Sequence, residues 1–338
     1  MDRYRRGQTK ITRRLLLLAA AGLFPVVTLG SCRQKNKTVL KEQNSDSQKP
    51  RVVRFGYARG GLINLIQIKG SLEKRLARLN VSVEWKLFAA GPQRMEALNA
   101  GLIDVGPASD ATLVFPMAAG VPLVIFGAEV ARPLALAVVV PQNSPIQNIS
   151  DLKGKKVAYG KGWNLHYLLV KALESKGLRP DDIQSVYVKS AAEAIEVFQS
   201  KFVDAVGIFD PFFAILQAKD KVRILFDGTG FTSNRVFYIA SPTYAREHPD
   251  ILAAILEELR SFGDWATKNP HEVARLFSST IKLPVAPLEV ATRRQQFNIV
   301  PIDQQIIAEQ QQVCDTFFQL GLISKQIQVK DAFIKLNG

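Results

Sequence analysis

The sequence predicts an α/β protein of two lobes, each a mostly parallel sheet flanked by helices. Short apolar runs alternate with helical patterns, an order that favours parallel strands joined by helices. The alternation pauses at "LALAVVV" and begins again at "SPIQNISDLKGKKVAYG". About 290 residues follow the polar amino-terminal region, which is more than one small core needs and suits two lobes.

The first 31 residues have the pattern of an export signal. The basic stretch "MDRYRRGQTKITRR" precedes an uncharged run of sixteen residues, "LLLLAAAGLFPVVTLG", which is short for a membrane span. "LGSC" (Leu29 to Cys32) resembles a bacterial lipobox, so we expect Cys32 to be lipidated and to become the mature amino terminus. Ordinary secretion with cleavage nearby is the alternative. "TRRLLL" resembles a twin-arginine signal, and the general secretory route stays open.

The stretch from Arg33 to Pro50 is polar and predicts a flexible tether, so the fold should begin near Arg51. The net charge is +14, of which residues 1–31 contribute +5, and the other +9 is spread along the chain. Without a polybasic block this charge does not indicate nucleic-acid binding, although it could assist capture of an anion. The two cysteines, Cys32 and Cys314, provide no disulfide framework and no cysteine metal site. We expect no metal and no cofactor.

The elements follow in order from Arg51. "RVVRFGY", "VSVEWKLF" and "IDVG" predict strands, with one helix at "LINLIQIKGSLEKRLARL" and a short helix at "PQRMEALNAG" between them. "PLVIFGAEV" and "LALAVVV" predict back-to-back apolar strands, after which the second series of strands and helices begins. The carboxyl-terminal third is predicted to be mostly helical, with helix limits marked by Pro242, Pro249, Pro270, Pro284 and Pro301.

Two stretches of the chain are similar to each other. Residues 97–110, "ALNAGLIDVGPASD", and residues 197–211, "VFQSKFVDAVGIFDP", each read as a helix, a tight turn, an Asp, an apolar strand and an Asp-bearing loop. Asp104 and Asp204 occupy matching positions, for which turn or cap chemistry is the favoured interpretation. Ligands of open parallel sheets bind beyond the carboxyl ends of the strands. The two strand ends should therefore face a shared cleft.

Several motifs make the chain similar to a known family. "AAGPQ", "ALNAGLIDVG" and "GKGWNLHYLL" are the most specific, and stretches such as "YAREHPDIL" and "DTFFQLGLI" extend the match over nearly everything from Arg51 onward. The chain resembles the substrate-binding lipoproteins of ABC importers for aliphatic sulfonates, with taurine and nitrate binders as relatives. The resemblance implies a two-lobed periplasmic binding protein-like fold (type 2) with two crossover strands as its hinge. It also implies no catalysis, delivery of the ligand to a membrane permease, and a lipid-anchored periplasmic location; we expect a monomer.

The resemblance also predicts where the lobes begin and end. The first lobe would comprise residues 51–140 and 238–338, and the second lobe residues 141–237. The export signal would cover residues 1–31 and the tether residues 32–50. Lobes joined by two crossings close when a few hinge residues absorb the backbone rotation.

The stretch "YGKGWNLHYLL" gives the first candidate ligand contacts. Gly160 and Gly162 would let the backbone approach a ligand closely. The helix from about Asn164 would present N–H groups that favour an anion such as a sulfonate. Asn164 is a candidate cap whose side chain could also reach the ligand. Trp163 could cover an organic tail, although an aromatic residue at such a junction is more often packed.

The other candidates follow strand ends. Arg59 comes after the first strand, next to two glycines, and could pair with the anion. Ser109 offers a hydroxyl, whereas Asp110 would act as a cap or contact a ligand amine. Arg235, at the second crossover beside Asn234, would contact the ligand or form a salt bridge between the lobes. The candidate ligand-binding set is Arg59, Gly60, Gly61, Ser109, Asp110, Gly162, Trp163, Asn164, Asp210 and Arg235.

Three loops depart from the pattern of the sulfonate binders, namely "ARGG", "ASDAT" and the Trp163 that precedes Asn164. These departures concern the expected pocket more than the fold. They leave the ligand open between an alkanesulfonate-like molecule, a larger or aromatic sulfonate, and another anion such as taurine, nitrate or a different organic anion.

Two other functions fit the sequence less well. "GKKVAYGKG" resembles a nucleotide-binding P-loop, but its glycines are one residue too far apart and Gly162 stands where magnesium binding needs Ser or Thr. An enzyme of the same fold, such as a pyrimidine-precursor synthase, would need an organised His, Cys or metal set. The sequence has only His166, His248 and His271. A sensor that uses this fold is a further alternative, and we predict a carrier.

Overall fold

The computed structural model describes residues 51–88 and 91–336. The predicted export signal, the lipidation at Cys32 and the predicted tether lie outside the described residues. The described residues belong to one compact unit. Among them, no helix combines the length and the apolar character that crossing a bilayer requires.

The described part of the chain forms two sheets. In chain order the strands are β1 (Arg51–Tyr57), β2 (Val81–Leu87), β3 (Val105–Ser109), β4 (Val124–Glu129), β5 (Leu136–Pro141), β6 (Lys156–Tyr159), β7 (Gln184–Tyr187), β8 (Ala205–Phe209), β9 (Val222–Asp227), β10 (Val236–Ala240) and β11 (Ile299–Val300). The first sheet has the order β11-β4-β10-β3-β1-β2, and the second has the order β7-β6-β8-β5-β9.

The two sheets share one topology. In the first sheet β1 pairs in parallel with β2 and β3, and β10 lies antiparallel between β3 and β4. In the second sheet β6 pairs in parallel with β7 and β8, and β5 lies antiparallel between β8 and β9. The prediction of two mostly parallel sheets is confirmed, with one reversed strand inserted into each. The first sheet also has the two-residue strand β11, antiparallel to β4, at its edge.

The chain crosses between the sheets twice. Residues 130–135 lead from β4 to β5, and residues 228–235 lead from β9 to β10. Each crossing delivers the reversed strand of the sheet that it enters. Residues 136–140 therefore pair in the second sheet, although the predicted first lobe included them, and residues 236–237 pair in the first sheet. The lobe limits themselves stay a prediction.

Helices cover the faces of both sheets. They are α1 (Leu62–Lys69), α2 (Ser71–Ala77), α3 (Gly91–Asn99), α4 (Asp110–Ala118), α5 (Asn164–Glu174), α6 (Ala191–Gln199), α7 (Phe212–Lys219), α8 (Pro242–Glu247), α9 (Pro249–Lys268), α10 (Pro270–Ile281), α11 (Val285–Gln295) and α12 (Gln304–Gln319).

Two details of the helices test the sequence patterns. The single helix predicted after β1 is wrong, because Gly70 adopts a left-handed conformation with φ of 60° and divides the run into α1 and α2. The proline limits are confirmed, since Pro242, Pro249 and Pro270 each open a helix, where a missing N–H costs nothing.

Asp104 and Asp204 have equivalent structural roles in the two sheets. The Asp104 carboxylate accepts the Arg54 backbone N–H at 2.8 Å, and the Asp204 carboxylate accepts the Lys156 backbone N–H at 2.8 Å. Each therefore bonds to the neighbouring strand, beyond its own turn. The internal similarity of the sequence thus corresponds to a repeated structural unit.

Apolar layers lie on both faces of each sheet. In the first sheet, α1, α2, α9 and α10 cover one face, and α3, α4 and α12 cover the other. In the second sheet, α5 covers one face, and α6 and α7 cover the other. A fifth cluster joins the two halves, because Tyr167 of α5 packs with Val114 of α4 and Phe317 of α12.

Candidate functional site

A cavity of about 420 Å³ lies between the two sheets, at the carboxyl ends of β3 and β8; we call it the central cavity. Its polar lining residues are Ser109, Thr112, Arg132, Asn164, Asp210, Asn234 and Gln295. Its larger apolar lining residues are Leu136, Trp163, Leu165 and Phe209. Both sheets and both crossings thus contribute to its wall, as the sequence predicts for a shared cleft.

The central cavity continues into a second space of about 540 Å³, which we call the adjoining cavity. The two share Ser109, Thr112, Arg132, Asp210 and Gln295, among others, so they are parts of one cleft. The adjoining cavity extends the cleft along the loop that follows β1.

Three helices begin at the wall of the central cavity. Gly91 opens α3, Asn164 opens α5, and Ser109 and Thr112 flank the start of α4. The first-turn N–H groups of a helix lack partners within the helix and carry partial positive charge. Three such ends at one cavity make a site that favours an anion.

Asn164 connects the lobes at this point. Its side-chain amide donates to the Asp110 carboxylate and to the Asn234 side-chain oxygen at 2.9 Å, and its oxygen accepts from the Ser109 hydroxyl at 3.3 Å. The prediction that Asn164 caps the helix is wrong by one position. Trp163 is the cap residue and Asn164 is the first helical residue, so the Asn164 side chain is free to cross the cleft.

Asp110 lies behind the cavity wall. It is 2% exposed, and its carboxylate accepts the Arg235 N–H at 2.9 Å and the Ala111 N–H at 2.7 Å, in addition to the Asn164 amide. Burial raises the pKa of this carboxyl, while the two backbone N–H groups oppose the shift. Asp110 therefore organises its neighbours, and it does not line the central or the adjoining cavity.

The Arg235 side chain turns away from the cleft. Its guanidinium donates to the Glu129 carbonyl at 2.9 Å and to the Glu309 carboxylate at 2.8 Å, and it lines neither part of the cleft. Glu129 ends β4 of the first sheet, and Glu309 belongs to α12, which covers one face of that sheet. This geometry fits the predicted alternative of a salt bridge. The bridge does not join the lobes, because Arg235 and Glu309 both belong to the part of the chain around the first sheet.

Arg132 supplies the guanidinium that the sequence reading missed. It lies in the first crossing, lines both parts of the cleft, and donates to the Asn234 carbonyl at 3.2 Å and to the Glu129 carboxylate at 3.4 Å. Asn234, with a left-handed φ of 44°, donates back to the Arg132 carbonyl at 3.1 Å. The available signal was an arginine between two apolar strands, in "VARPLALAVVV".

Asp210 contributes a buried carboxyl group to the wall. One oxygen accepts the Ala214 N–H at 3.1 Å and lies 3.4 Å from the Arg294 guanidinium, whereas the other has no hydrogen-bond partner among the described residues. Burial raises the pKa of Asp210 to about 6, with the Arg294 charge opposing the shift.

This geometry can be compared with known proteins. The family model described as NMT1/THI5 like matches residues 79–273. The chain belongs to the NMT1/THI5-like family. An aliphatic sulfonates-binding protein of Escherichia coli (strain K12) is 35% identical over 323 residues, which cover 94% of this chain and 95% of the relative.

Solved structures that are similar to this NMT1/THI5-like chain include further sulfonate-binding proteins. The periplasmic aliphatic sulphonate binding protein of Escherichia coli matches with a TM-score of 0.79 and 34% identity, over 84% of this chain and 97% of that one. The alkanesulfonate-binding protein of Xanthomonas axonopodis pv. citri, bound to MOPS, matches with a TM-score of 0.75 and 30% identity, over 85% and 99%. The predicted two-lobed periplasmic binding protein fold is confirmed. These relatives are named as binding proteins, as the carrier prediction expects.

The glycine loop of this NMT1/THI5-like protein has a different role from the one predicted. A Cβ on Gly160 would lie 2.0 Å from the Trp163 ring, and one on Gly162 would lie 2.5 Å from the Phe115 ring. The glycines thus make room for aromatic side chains. Gly162 lines an outer groove together with Lys161 and Phe115. This groove borders the central cavity, with which it shares Pro92, Thr112 and Trp163. Trp163 itself lines the central cavity.

The loop after β1 lies along the adjoining cavity. Arg59, Gly60 and Gly61 line it, and both glycines have positive φ angles, 84° and 80°. The Gly60 N–H donates to the Asn64 side chain at 3.0 Å. The exposed Arg59 guanidinium has no partner within residues 51–88 and 91–336.

His166 is packed within the second lobe. Its Nδ1 accepts the Gly162 N–H at 3.1 Å, and its ring lies 5.1 Å from that of Tyr159. Burial, with the Lys161 charge nearby, lowers its pKa to about 4. In the described part of the chain, no group of three or more His, Cys, Asp and Glu residues could hold a metal ion.

The structure thus adds Thr112, Arg132 and Gln295 to the predicted cleft residues. Thr112 stands three positions after Ser109 at a helix start, a spacing that the sequence could have signalled, and its hydroxyl lies 2.7 Å from that of Ser109. Gln295 ends α11, far away in the sequence, and no local pattern identifies it.

Proposed function

We propose that this protein is an extracytoplasmic solute-binding protein of an ABC importer, which captures an organic sulfonate in the cleft and delivers it to the permease. One observation carries the proposal. Three helix starts and the Ser109 and Thr112 hydroxyls converge on a cavity whose other walls are largely apolar. A sulfonate has the matching division into an anionic head and an organic tail, and the 35% identical relative is named for binding aliphatic sulfonates.

The head would bind at the starts of α4 and α5. The helix ends supply partial positive charge, and the Arg132 guanidinium adds a full charge at the same wall. The Ser109 and Thr112 hydroxyls can rotate to donate to sulfonate oxygens. Trp163 and Phe209, whose rings are 6.1 Å apart, offer a surface for the tail.

Capture would depend on closure of the two lobes, with residues 130–135 and 228–235 as the hinge. The donors at the cavity come from both sides of this hinge. A ligand that contacts both lobes binds the closed form better than the open one, and this differential affinity shifts the equilibrium toward closure. The closed form is then the one that the permease would recognise.

Export and anchoring are part of the same proposal. Cys32 would carry the lipid, the stretch after it would act as the tether, and the mature protein would work as a monomer in the cell envelope. The lipobox pattern at residues 29–32 supports the anchor. The description of the Escherichia coli structure as periplasmic supports the location.

A second candidate ligand is a sulfonate that also carries an amine, as taurine does. The unpartnered Asp210 oxygen favours it, because a buried carboxylate in the cavity wall is a strong acceptor for an ammonium group. Nitrate or another anion without a tail would leave the apolar wall unused.

Calorimetric titration of the mature protein tests the proposal. The panel comprises methane-, ethane- and larger alkanesulfonates, taurine, an aromatic sulfonate, nitrate and sulfate. Tight binding of an organic sulfonate supports it, and the strongest member of the panel gives the tail preference. Binding of nitrate alone, or of nothing in the panel, would contradict it.

Arginine substitutions test where the head binds. Arg132→Gln should weaken sulfonate binding tenfold or more, because a charged hydrogen bond is worth about 1.5–3 kcal/mol. Arg246→Gln, on the exposed face of α8, is the matched control and should bind as the parent. Arg235→Gln should chiefly lower the melting temperature, because it removes the ion pair with Glu309. Equal losses of affinity for Arg132→Gln and Arg246→Gln would mean that the head binds elsewhere.

A further inference from the structure

A third cavity, of about 280 Å³, opens from the far end of the cleft; we call it the side chamber. It shares Arg59, Gly60, Gly61, Pro211, Phe212 and Gln295 with the adjoining cavity. The central cavity, the adjoining cavity and the side chamber therefore form a series with common walls. A molecule bound at the helix starts can extend in this direction without leaving the protein.

The inner wall of the side chamber is apolar. It is formed by Phe277, Ile281, Leu283, Leu288 and Ala291, from α10, α11 and the segment between them. Thr292 also lines it, but its hydroxyl donates to the Leu288 carbonyl at 2.7 Å within the helix. The inner wall thus presents no unpaired side-chain donor to an anionic or hydrogen-bonding group, and it suits hydrocarbon.

Both lobes build the side chamber. Its inner wall belongs to α10 and α11, whereas Pro211 and Phe212 come from the start of α7 on the second sheet. Arg294 holds the two sides together: its guanidinium lies 3.4 Å from the Asp210 carboxylate and 4.2 Å from the centre of the Phe213 ring. An occupant of the side chamber would therefore contact both lobes, as the head does at the other end of the cleft.

The outer groove beyond Trp163 is the competing direction for a tail. It has a volume of about 420 Å³, but its lining includes Glu96, Asn99 and Lys161. A hydrocarbon chain placed there would desolvate polar and charged groups without satisfying them. The inner wall of the side chamber carries no such cost, and its two other polar lining residues, Arg59 and Gln295, are shared with the adjoining cavity.

We propose that the side chamber is a tail subsite, and that the ligands of this protein are sulfonates whose apolar chain is long enough to reach from the helix starts into it. This inference rests on the proposed function, because it takes the anionic head to bind in the central cavity. Each methylene that leaves water for the side chamber should tighten binding about fourfold. Short sulfonates would bind through the head and the Trp163 and Phe209 rings of the central cavity, without reaching the side chamber.

The first test is a chain-length series on the mature protein, with ethane-, butane-, hexane- and octanesulfonate titrated by calorimetry. The dissociation constant should fall modestly while the chain lies against the Trp163 and Phe209 rings of the cleft. It should then fall about fourfold per methylene once the chain enters the side chamber. A flat series would overturn the tail subsite while leaving the sulfonate function intact. Failure of every sulfonate, short ones included, would overturn the proposed function and the subsite together.

The second test fills the side chamber. Ala291→Phe places a ring in it, and octanesulfonate should then lose the gain of about fourfold per methylene, while the affinity for ethanesulfonate should stay within about twofold of the parent's. Val290→Phe is the matched control, since the neighbouring side chain is 45% exposed on the same helix, and it should keep the chain-length gradient. Equal behaviour of the two variants would contradict the subsite.

A third variant covers the case in which Ala291→Phe lowers stability, because Ala291 is buried. Leu283→Ser makes a half-buried part of the inner wall polar without adding volume, and it should flatten the gradient for long chains only. Ala119→Phe, in the outer groove, should leave the gradient unchanged. Loss of the gradient in Ala119→Phe, with retention in Leu283→Ser, would place the tail in the outer groove and overturn the proposal.

Discussion

Asp210 places a buried carboxyl group in the wall of a cavity that otherwise suits an anion. Its pKa, raised by burial to about 6, means that a modest change of pH decides whether this wall is neutral or negative. The charged groups that face it are the Arg294 and Arg132 guanidinium groups, and both lower the pKa of Asp210. The residue can therefore discriminate between ligands with and without an amine.

We expect the affinity for a simple alkanesulfonate to rise as the pH falls through about 6. The sulfonate stays charged over this range, whereas protonated Asp210 no longer repels it and can donate a hydrogen bond. An amine-bearing sulfonate should show the opposite trend, since it loses its carboxylate partner. Titrations at about pH 5 and about pH 8 measure both trends.

Asp210→Asn is the control for this pH effect and should remove both trends. A pH dependence that persists in Asp210→Asn would assign it to another group. The same raised pKa means that the native state holds the proton more tightly than the unfolded chain does. The free energy of unfolding should therefore fall as the pH rises from about 4 to about 6, and the fall should be smaller in Asp210→Asn, which keeps the contributions of the other buried carboxyl groups, Asp110 and Glu129.

At the scale of elements, the loop between β6 and α5 is shaped by side chains packed against glycines. Gly160 lies under the Trp163 ring and Gly162 beside Phe115, so the close approach that the sequence pattern indicates is internal. Its consequence for the cleft is indirect, because Trp163 takes its position in the cavity wall only while residue 160 has no Cβ.

Gly160→Ala should therefore displace the Trp163 ring and weaken sulfonate binding, with a loss of stability of about 1–3 kcal/mol from overpacking. Tryptophan fluorescence and calorimetry measure the two effects. Gly154→Ala is the matched control, because it has a φ of 73° but its Cβ would meet nothing within 4 Å. It should cost about 1 kcal/mol through backbone strain without changing affinity. Unchanged affinity in Gly160→Ala would show that the ring position is not needed for binding.

At the scale of the whole molecule, a few polar contacts hold the lobes together across the cleft. Asn164 of the second lobe bonds to Ser109 and Asp110 of the first, and Arg294 reaches from α11 to Asp210 and to Gln217 of α7. The segments 130–135 and 228–235 also bond to each other, through the Arg132 N–H to the Ser233 carbonyl at 2.9 Å. These polar contacts therefore join the lobes at the hinge and at two further points across the cleft, one at Asn164 and one at Arg294.

Asn164→Ala should remove the hydrogen bonds to Ser109 and Asp110 and shift the ligand-free protein toward an open form. Small-angle X-ray scattering should show a larger radius of gyration without ligand, and a saturating sulfonate should restore most of the parent's value. Lys171→Ala, in the exposed ion pair at the other end of α5, is the control and should leave the radius unchanged. Identical radii for Asn164→Ala and the parent would mean that this contact does not govern closure.

The sequence by itself determined the fold class and the internal repeat, and its resemblance to a known family predicted the two crossings. Periodicity and proline positions are local signals, and they survive in the structure because they depend on neighbours along the chain. The matching Asp104 and Asp204 could be seen in the sequence, although their carboxylates bond to strands 50 and 48 positions away. The pattern "GKGWN" also led correctly to a helix start at the cleft. Local signals could not say which way a side chain turns at that start.

Only the tertiary structure decided which charged groups face the cleft. Arg235 and Arg132 lie at the two crossings and are equally plausible from sequence, but Glu309 of α12 binds the Arg235 guanidinium and leaves Arg132 at the cavity wall. Asp110 is buried among N–H donors, whereas Asp210 keeps an unpartnered oxygen. These outcomes depend on contacts between residues up to 125 positions apart, because burial and charge pairing are set by packing and not by neighbours in sequence.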